Sequence, residues 1–294
     1  MTLGEAILPG SSGEEFLVSA YCCHPSMAND SLSGVVLWGL LLRALQQNPH
    51  RHSYRFVVLP ETIGAIAYLA QRQSDMQSVK GGFIPTTVAG PGPFGYKQTF
   101  VGDSPIDHAV ERTFTEQGLE FVRYPFDING SDEKQYSAPG FRIPVGTISK
   151  SKYYEYKEYH TSLDNLSFIK VEHLIDSLKL YLLSLEKLEL DLTYLSQAPN
   201  SEPMFGKRGL YPNLGGSIKQ KAADMQRQHG ERPYQIELDQ SIYGNALDAM
   251  RWLMFYADGE HSIMQVAELT GLPVRQLYET AELLRQHQLL TLQE

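Results

Sequence analysis

A short apolar run, Phe16-Leu-Val-Ser-Ala20, opens into a polar loop, Tyr21 to Gly34, and that loop runs into an apolar helical stretch, Val35 to Leu45. The order then recurs. Tyr54 to Leu59 is a largely apolar strand, Pro60-Glu61-Thr62 closes it, and Ile63 to Gln71 has helical spacing. Strands that read as nearly continuous apolar runs are buried on both faces, as parallel strands between layers of helices are. The chain is therefore expected to be an α/β protein built on a mostly parallel sheet sandwiched by helices. Sheets of this kind collect their ligands at the carboxyl ends of the strands, so function is expected in the polar loops.

Further on, Gly82 to Ala89 reads as a third strand, interrupted by Pro85, and Gly90-Pro91-Gly92-Pro93 as a rigid turn. Ser104 and Pro105 are a cap and a first-turn residue for a helix reaching Gln117. Phe121 to Tyr124 and Ile143 to Ile148 read as strands, and Val171 to Leu190 as an apolar helix covering the sheet. Met1 to Gly13 reads as ordinary chain with turns, so the first loaded loop comes early and points to a shortened form of something longer. From about Ser196 to Gly216, Pro, Gly, Ser and Asn accumulate as in a linker. Beyond it Ala246 to Tyr256, Ile263 to Leu269 and Val274 to Gln286 are helical, the last two separated by Thr270-Gly271-Leu272-Pro273, which is helix-turn-helix spacing. The expected division is an α/β domain over 1–200 and a linker with a small domain over 201–294.

The loops after the strands offer His24 and Asp30, then Glu61, then Asp127 or Asp132, then His160. Each has an ordinary alternative. Asn29, Asp30, Ser31 and Ser33 also cap a helix, Glu61 also suits a helix's first turn, and Asp132 suits a solvated turn. Imidazole and carboxylate together are ligands suited to zinc, whose catalytic sites keep one position open. His50, His52 and His173 lack the strand-end placement and read as surface residues. Cys22 and Cys23, the only cysteines, are adjacent, which suits neither an ordinary disulfide nor a zinc knuckle; they read as packing residues at the strand's end.

In combination, His24, Asn29-Asp30-Ser-Leu-Ser33-Gly34, Glu61 with Ile63-Gly64, Ser131-Asp132 and Tyr159-His160-Thr161 with Asp164 resemble the two-zinc aminopeptidases of peptidase family M28. They are more similar still to aminopeptidase-like proteins of bacterial polysaccharide gene clusters, which carry a C-terminal winged helix and a longer N-terminal part. The resemblance implies that His24 and His160 bind zinc with Asp30 between them, that Glu61 is the general base, and that Asp132 and Asp164 orient ligands. It also implies a peptide or aminoacyl small molecule as substrate. The chain departs from the two-zinc pattern at Ser26, Thr62 and Thr87, where acids are usual. Each of two zincs would lose a ligand, so one zinc held by His24, Asp30 and His160 is the expected count, with two as the alternative. A non-catalytic scaffold serving polysaccharide synthesis is the other reading.

The net charge of −9 argues against nucleic acid or an anionic membrane as a global partner. Residues 203–294 carry nine Lys and Arg against eleven Asp and Glu. The would-be recognition helix sets Arg275 and Arg285 against Glu279 and Glu282, so packing, partner docking or homo-oligomer formation is preferred to DNA binding. The cysteine usage, with no signal peptide and no membrane-length apolar run, leads to the expectation of a cytoplasmic protein.

Overall fold

The structure is a computed structural model that describes residues 2–210 and 240–293. It divides into two compact units, Met1–Glu189 and Leu190–Glu294. The expected boundary lay at residue 200; the strand Thr193–Ser196 pairs within the second unit and brings it forward. The part of the expected linker beyond residue 210 lies outside the described residues.

The first unit is laid down as β1 (Gly4–Leu8), β2 (Glu15–Cys22), α1 (Ser33–Gln46), β3 (Ser53–Pro60), α2 (Ile63–Gln71), β4 (Val79–Phe83), β5 (Phe94–Lys97), α3 (Pro105–Gln117), β6 (Val122–Tyr124), α4 (Glu133–Tyr136), β7 (Val145–Lys150) and α5 (Val171–Leu190). Its seven-stranded sheet has the order β1-β3-β2-β4-β7-β5-β6. The central strands β3, β2, β4 and β7 are parallel, while β1 and β5 each run antiparallel to a neighbour. The strand period of two sorts the core. Leu17, Tyr21, Val57 and Leu59 pack with Tyr68 and Leu69 of α2 on one face. On β2 and β3, Val18 and Phe56 meet Trp38 of α1, whose indole N–H donates to the Val18 carbonyl at 3.1 Å. Phe83 of β4 meets Tyr181 of α5 edge-on. Helices therefore cover a mostly parallel sheet, as the apolar runs required.

Three local readings change. The entry is not plain chain, because Gly4–Leu8 pairs antiparallel with β3 and Glu5 binds Arg55 at 2.6 Å. The third strand lies earlier, at Val79–Phe83, since the chain leaves the ladder just before Pro85. His52 is not a surface residue: it is buried between Ser12, Arg51 and the Leu188 carbonyl. The start of α3 matches its sequence signal, with Ser104 and Asp107 capping one another reciprocally.

In the second unit, β8 (Thr193–Ser196) lies between β9 (Asp258–Ser262) and β10 (Leu290–Leu292). Helices α6 (Gln240–Tyr256), α7 (Ile263–Thr270) and α8 (Val274–Gln286) supply the buried Leu253, Val266, Leu277 and Leu284. Gly271, left-handed at φ 76°, ends α7, and Pro273 stands ahead of α8. Both α8 arginines face glutamates of their own helix, Arg285 at 2.8 Å from Glu282 and Arg275 at 4.0 Å from Glu279. Among the described residues no helix is long and apolar enough to cross a membrane.

Candidate metal centre

Strand register brings the loops together. In the parallel pair β2 and β3, Cys22 stands opposite Pro60, so Cys23, with His24 just after it, and Glu61 leave the sheet side by side. Ligand atoms of Cys23, His24 and Glu61 all lie within 4.8 Å of one another. On the other side, β7 reaches the same edge through β4, and the loop after it brings back His160.

Between β2 and α1 the chain does not form a simple capped helix. Ala28–Leu32 makes one wide turn, broken at Asp30 (φ −78°, ψ 110°) and Ser31 (φ 81°, ψ −63°). This break carries the Asp30 side chain into the interior, where it is 2% exposed. Its Oδ2 lies 3.2 Å from His24 Nδ1 and 3.1 Å from His160 Nε2. Neither Asp30 Oδ2 nor His24 Nδ1 has a hydrogen-bond partner, although buried polar atoms are nearly always satisfied. Two ligands of one tetrahedral zinc stand about 3.3 Å apart, so these spacings match the edges of a coordination tetrahedron. Burial raises the Asp30 carboxyl pKa, while the His24 and His160 imidazoles oppose it. A cation at this point would supply the missing partner, and the donor set of one carboxylate and two imidazoles fits zinc.

Asp164 acts one step back. Wholly buried, its carboxylate accepts the amides of Ala28 (3.2 Å), Asn29 (2.6 Å) and Asp30 (2.9 Å), with the Tyr156 hydroxyl at 3.2 Å. It thus fixes the broken turn on which Asp30 rides, holding backbone and no ligand side chain. Asn29, also buried, ties the same turn to the next loop by accepting the Ala89 amide at 2.9 Å.

Asp132 stands apart from the histidines. It accepts the Thr62 amide at 2.7 Å, and its second oxygen has no partner. Burial pushes its pKa up to about 7, with the Glu61 and Glu133 charges adding and the Thr62 amide opposing. Thr62 needs that hold. It sits at φ 61°, ψ −72°, outside the regions a β-branched residue favours. Thr87, at the third departure from the two-zinc pattern, is also left-handed (φ 48°), and its buried hydroxyl has no partner. Asp127 is exposed and bonds within its own turn to Asn129.

Two features escaped the sequence reading. Cys22 and Cys23 are exposed, not packed, and the Cys23 thiol beside Glu61 is pushed up to about 12 by burial and by that carboxylate. The tyrosines after β7 also build the site: Tyr159 stacks on His160 with centroids 3.9 Å apart, and Tyr154 meets Tyr159 edge-on at 5.1 Å. The aromatic run Tyr153, Tyr154, Tyr156, Tyr159 was the available signal.

Comparison with known proteins bears on the fold. A Clostridium acetobutylicum protein, whose name assigns it to polysaccharide biosynthesis and gives it an aminopeptidase-like domain, is 36% identical over 292 residues, spanning 99% of this chain. The chain covers only 62% of that relative's length. A crystal structure from the same organism, described as a peptidase, superposes with a TM-score of 0.83 at 34% identity, covering 99% of this chain and 60% of that one. BSAP, a zinc aminopeptidase from Bacillus subtilis, superposes with a TM-score of 0.54 at 17% identity over 63% of this chain and 49% of its own, which gives the first unit an aminopeptidase-like fold. The winged helix-turn-helix family matches residues 234–292. Residues 1–191 match the family described as "Domain of unknown function (DUF4910)", and the chain belongs to it.

Proposed function

We propose that the first unit is a zinc-dependent amide hydrolase of the aminopeptidase type, acting on a peptide or aminoacyl small molecule with a free amino group. The observation that carries this reading is the buried Asp30 Oδ2, which makes no hydrogen bond and lies 3.2 and 3.1 Å from ring nitrogens of His24 and His160. These three residues would hold one ion. When bound, zinc supplies Lewis acidity and a lowered pKa for a water at its open position. Glu61, within 4.8 Å of a His24 nitrogen, is the general base: its carboxylate takes the proton from the attacking water and returns it to the leaving amine. Asp164 holds the Asp30 turn and Asp132 holds the peptide just after Glu61, so both act by positioning.

Thr62 and Thr87 favour a second reading, in which the fold is kept as a scaffold in polysaccharide biosynthesis, the role named for the Clostridium relative. The discriminating experiment measures zinc in purified protein and turnover of aminoacyl anilides. The hydrolase reading expects about one zinc per chain, lost in His160→Ala, and turnover abolished in Glu61→Gln with zinc retained. Zinc without turnover would favour the scaffold. Absence of zinc, with His160→Ala changing nothing, would overturn the metal site itself.

A further inference from the structure

A second set of donors adjoins the first, and His24 belongs to both through different nitrogens. Its Nδ1 faces Asp30 Oδ2 at 3.2 Å, while its Nε2 faces the Cys23 sulfur at 3.9 Å. Glu61 completes the second set, with donor atoms of Cys23, His24 and Glu61 all within 4.8 Å of one another. Cys23 is exposed and the other two are half-buried, so an ion from solvent can reach them.

The spacing and the donor types suit a thiophilic ion. Zinc bonds of about 2.3 Å to sulfur and about 2.0 Å to nitrogen set those donors about 3.5 Å apart in a tetrahedron. The observed gap is slightly wider, which suits a larger cation of the same class, cadmium. Thiolate prefers such ions to magnesium or calcium, whereas Asp30 with two imidazoles offers no sulfur.

Other uses of the thiol fit less well. Cys22 closes β2, and alternation along an extended strand turns neighbouring side chains apart, so the two cysteines do not converge as a dithiol. A nucleophilic role is opposed by Glu61, since a neighbouring carboxylate disfavours a thiolate. A dication reverses that opposition by attracting sulfur and carboxylate together, the thiol proton passing to solvent.

We propose that Cys23, His24 and Glu61 form a second, thiolate-bearing site for a thiophilic dication, cadmium or zinc in excess, and that an ion there inhibits by occupying the Glu61 carboxylate. Binding stands on the three donors alone. The inhibition rests on the hydrolase reading, in which Glu61 takes the proton from water. The test titrates cadmium into the full chain and reads the sulfur-to-cadmium charge-transfer band in ultraviolet difference spectra. The expected result is one band-forming equivalent per chain, absent in Cys23→Ser and kept in Cys22→Ser and His160→Ala. Its dissociation constant should rise about tenfold in Glu61→Gln, about 1.4 kcal/mol. No band, an equal band in Cys23→Ser, or a band lost in His160→Ala would overturn the site, and an unchanged constant in Glu61→Gln would remove Glu61 from it. In protein carrying one zinc, turnover of aminoacyl anilides should fall as the band grows. Turnover that persists at full band would overturn the inhibition, whereas a band in protein that never turns over fails the hydrolase reading and leaves the site standing.

Discussion

Replacing Asp164 by Asn changes one atom and one charge, and the donors around the carboxylate determine the cost. The carboxylate is fully buried and receives four donors: the amides of Ala28, Asn29 and Asp30 and the Tyr156 hydroxyl. An asparagine oxygen at Oδ1 still accepts from Ala28 and Asn29, but those bonds lose their charge assistance, about 1 kcal/mol together. The new NH2 at Oδ2 faces the Asp30 amide, donor against donor. Tyr156 can rotate its hydroxyl and accept. The Asp30 N–H cannot, and a buried unsatisfied amide costs about 1–3 kcal/mol. Relief from burying a charge offsets part of this, leaving a loss of about 2–3 kcal/mol in urea unfolding at constant m. The same donor clash loosens the turn that carries Asp30, so zinc affinity, measured by chelator competition, should fall about 10–100-fold. Stability within about 0.5 kcal/mol of the parent, together with unchanged zinc affinity, would refute the claim that Asp164 holds this turn.

Two glycines of α1 should respond in opposite directions. A Cβ on Gly34 would overlap the Pro85 carbonyl oxygen, whereas one on Gly39 meets nothing within 4 Å; Gly34→Ala should cost about 1–3 kcal/mol by overpacking and Gly39→Ala should add about 0.5–1 kcal/mol, both read by thermal or urea unfolding. Asp132, whose folded pKa of about 7 stands above its ordinary 3.8, makes the native chain bind more protons than the unfolded one between those values. Stability of the metal-stripped protein should therefore fall as pH rises from about 4 to about 7, by at most about 1.4 kcal/mol per pH unit. Asp132→Asn, which keeps an acceptor for Thr62, should flatten that slope; equal slopes in the two proteins would exclude Asp132 as its source. The paired arginines of α8 lead to the expectation that a duplex DNA titration at low salt shows no salt-dependent binding.

Most of the sheet could be read from the chain because its central strands are buried on both faces, so Phe16–Ala20 and Tyr54–Leu59 announce themselves as apolar runs. β1 and β5 carry no such mark. Gly4–Leu8 is half-exposed and is held to β3 by antiparallel pairing and by Glu5 reaching Arg55, a partnership fifty residues apart that periodicity cannot register. β5 is four residues long behind a Pro-Gly turn. His52 misled for a related reason: its polar neighbours in a turn look solvated until α5 returns to cover them with the Leu188 carbonyl. At the site, residue types were legible and distances were not. The motif around Asp30 resembled a helix cap because Asn, Asp and Ser serve both roles, and only the backbone break at Asp30 and Ser31 separates a cap from an inward-facing ligand.

That break is one of several. Ser26, Ser31, Thr62, Thr87, Ser151, Tyr154 and His160 all have positive φ, and all lie in loops that leave the carboxyl edge of the sheet. Each such residue costs about 1–3 kcal/mol, and chains retain such strain where the surrounding contacts impose it. Here the imposing contacts are visible: Asp132 on the Thr62 amide, Asp164 on the Asp30 turn, Tyr159 stacked on His160. Thr62 and Thr87 lack the acids of the two-zinc pattern yet keep an unusual backbone. The loop geometry is therefore maintained by the second layer of contacts and does not depend on the identity of the missing ligands. The strain of these loops is thus set by Asp132, Asp164 and Tyr159, and replacing any one of them should release its own loop whether or not an ion is bound.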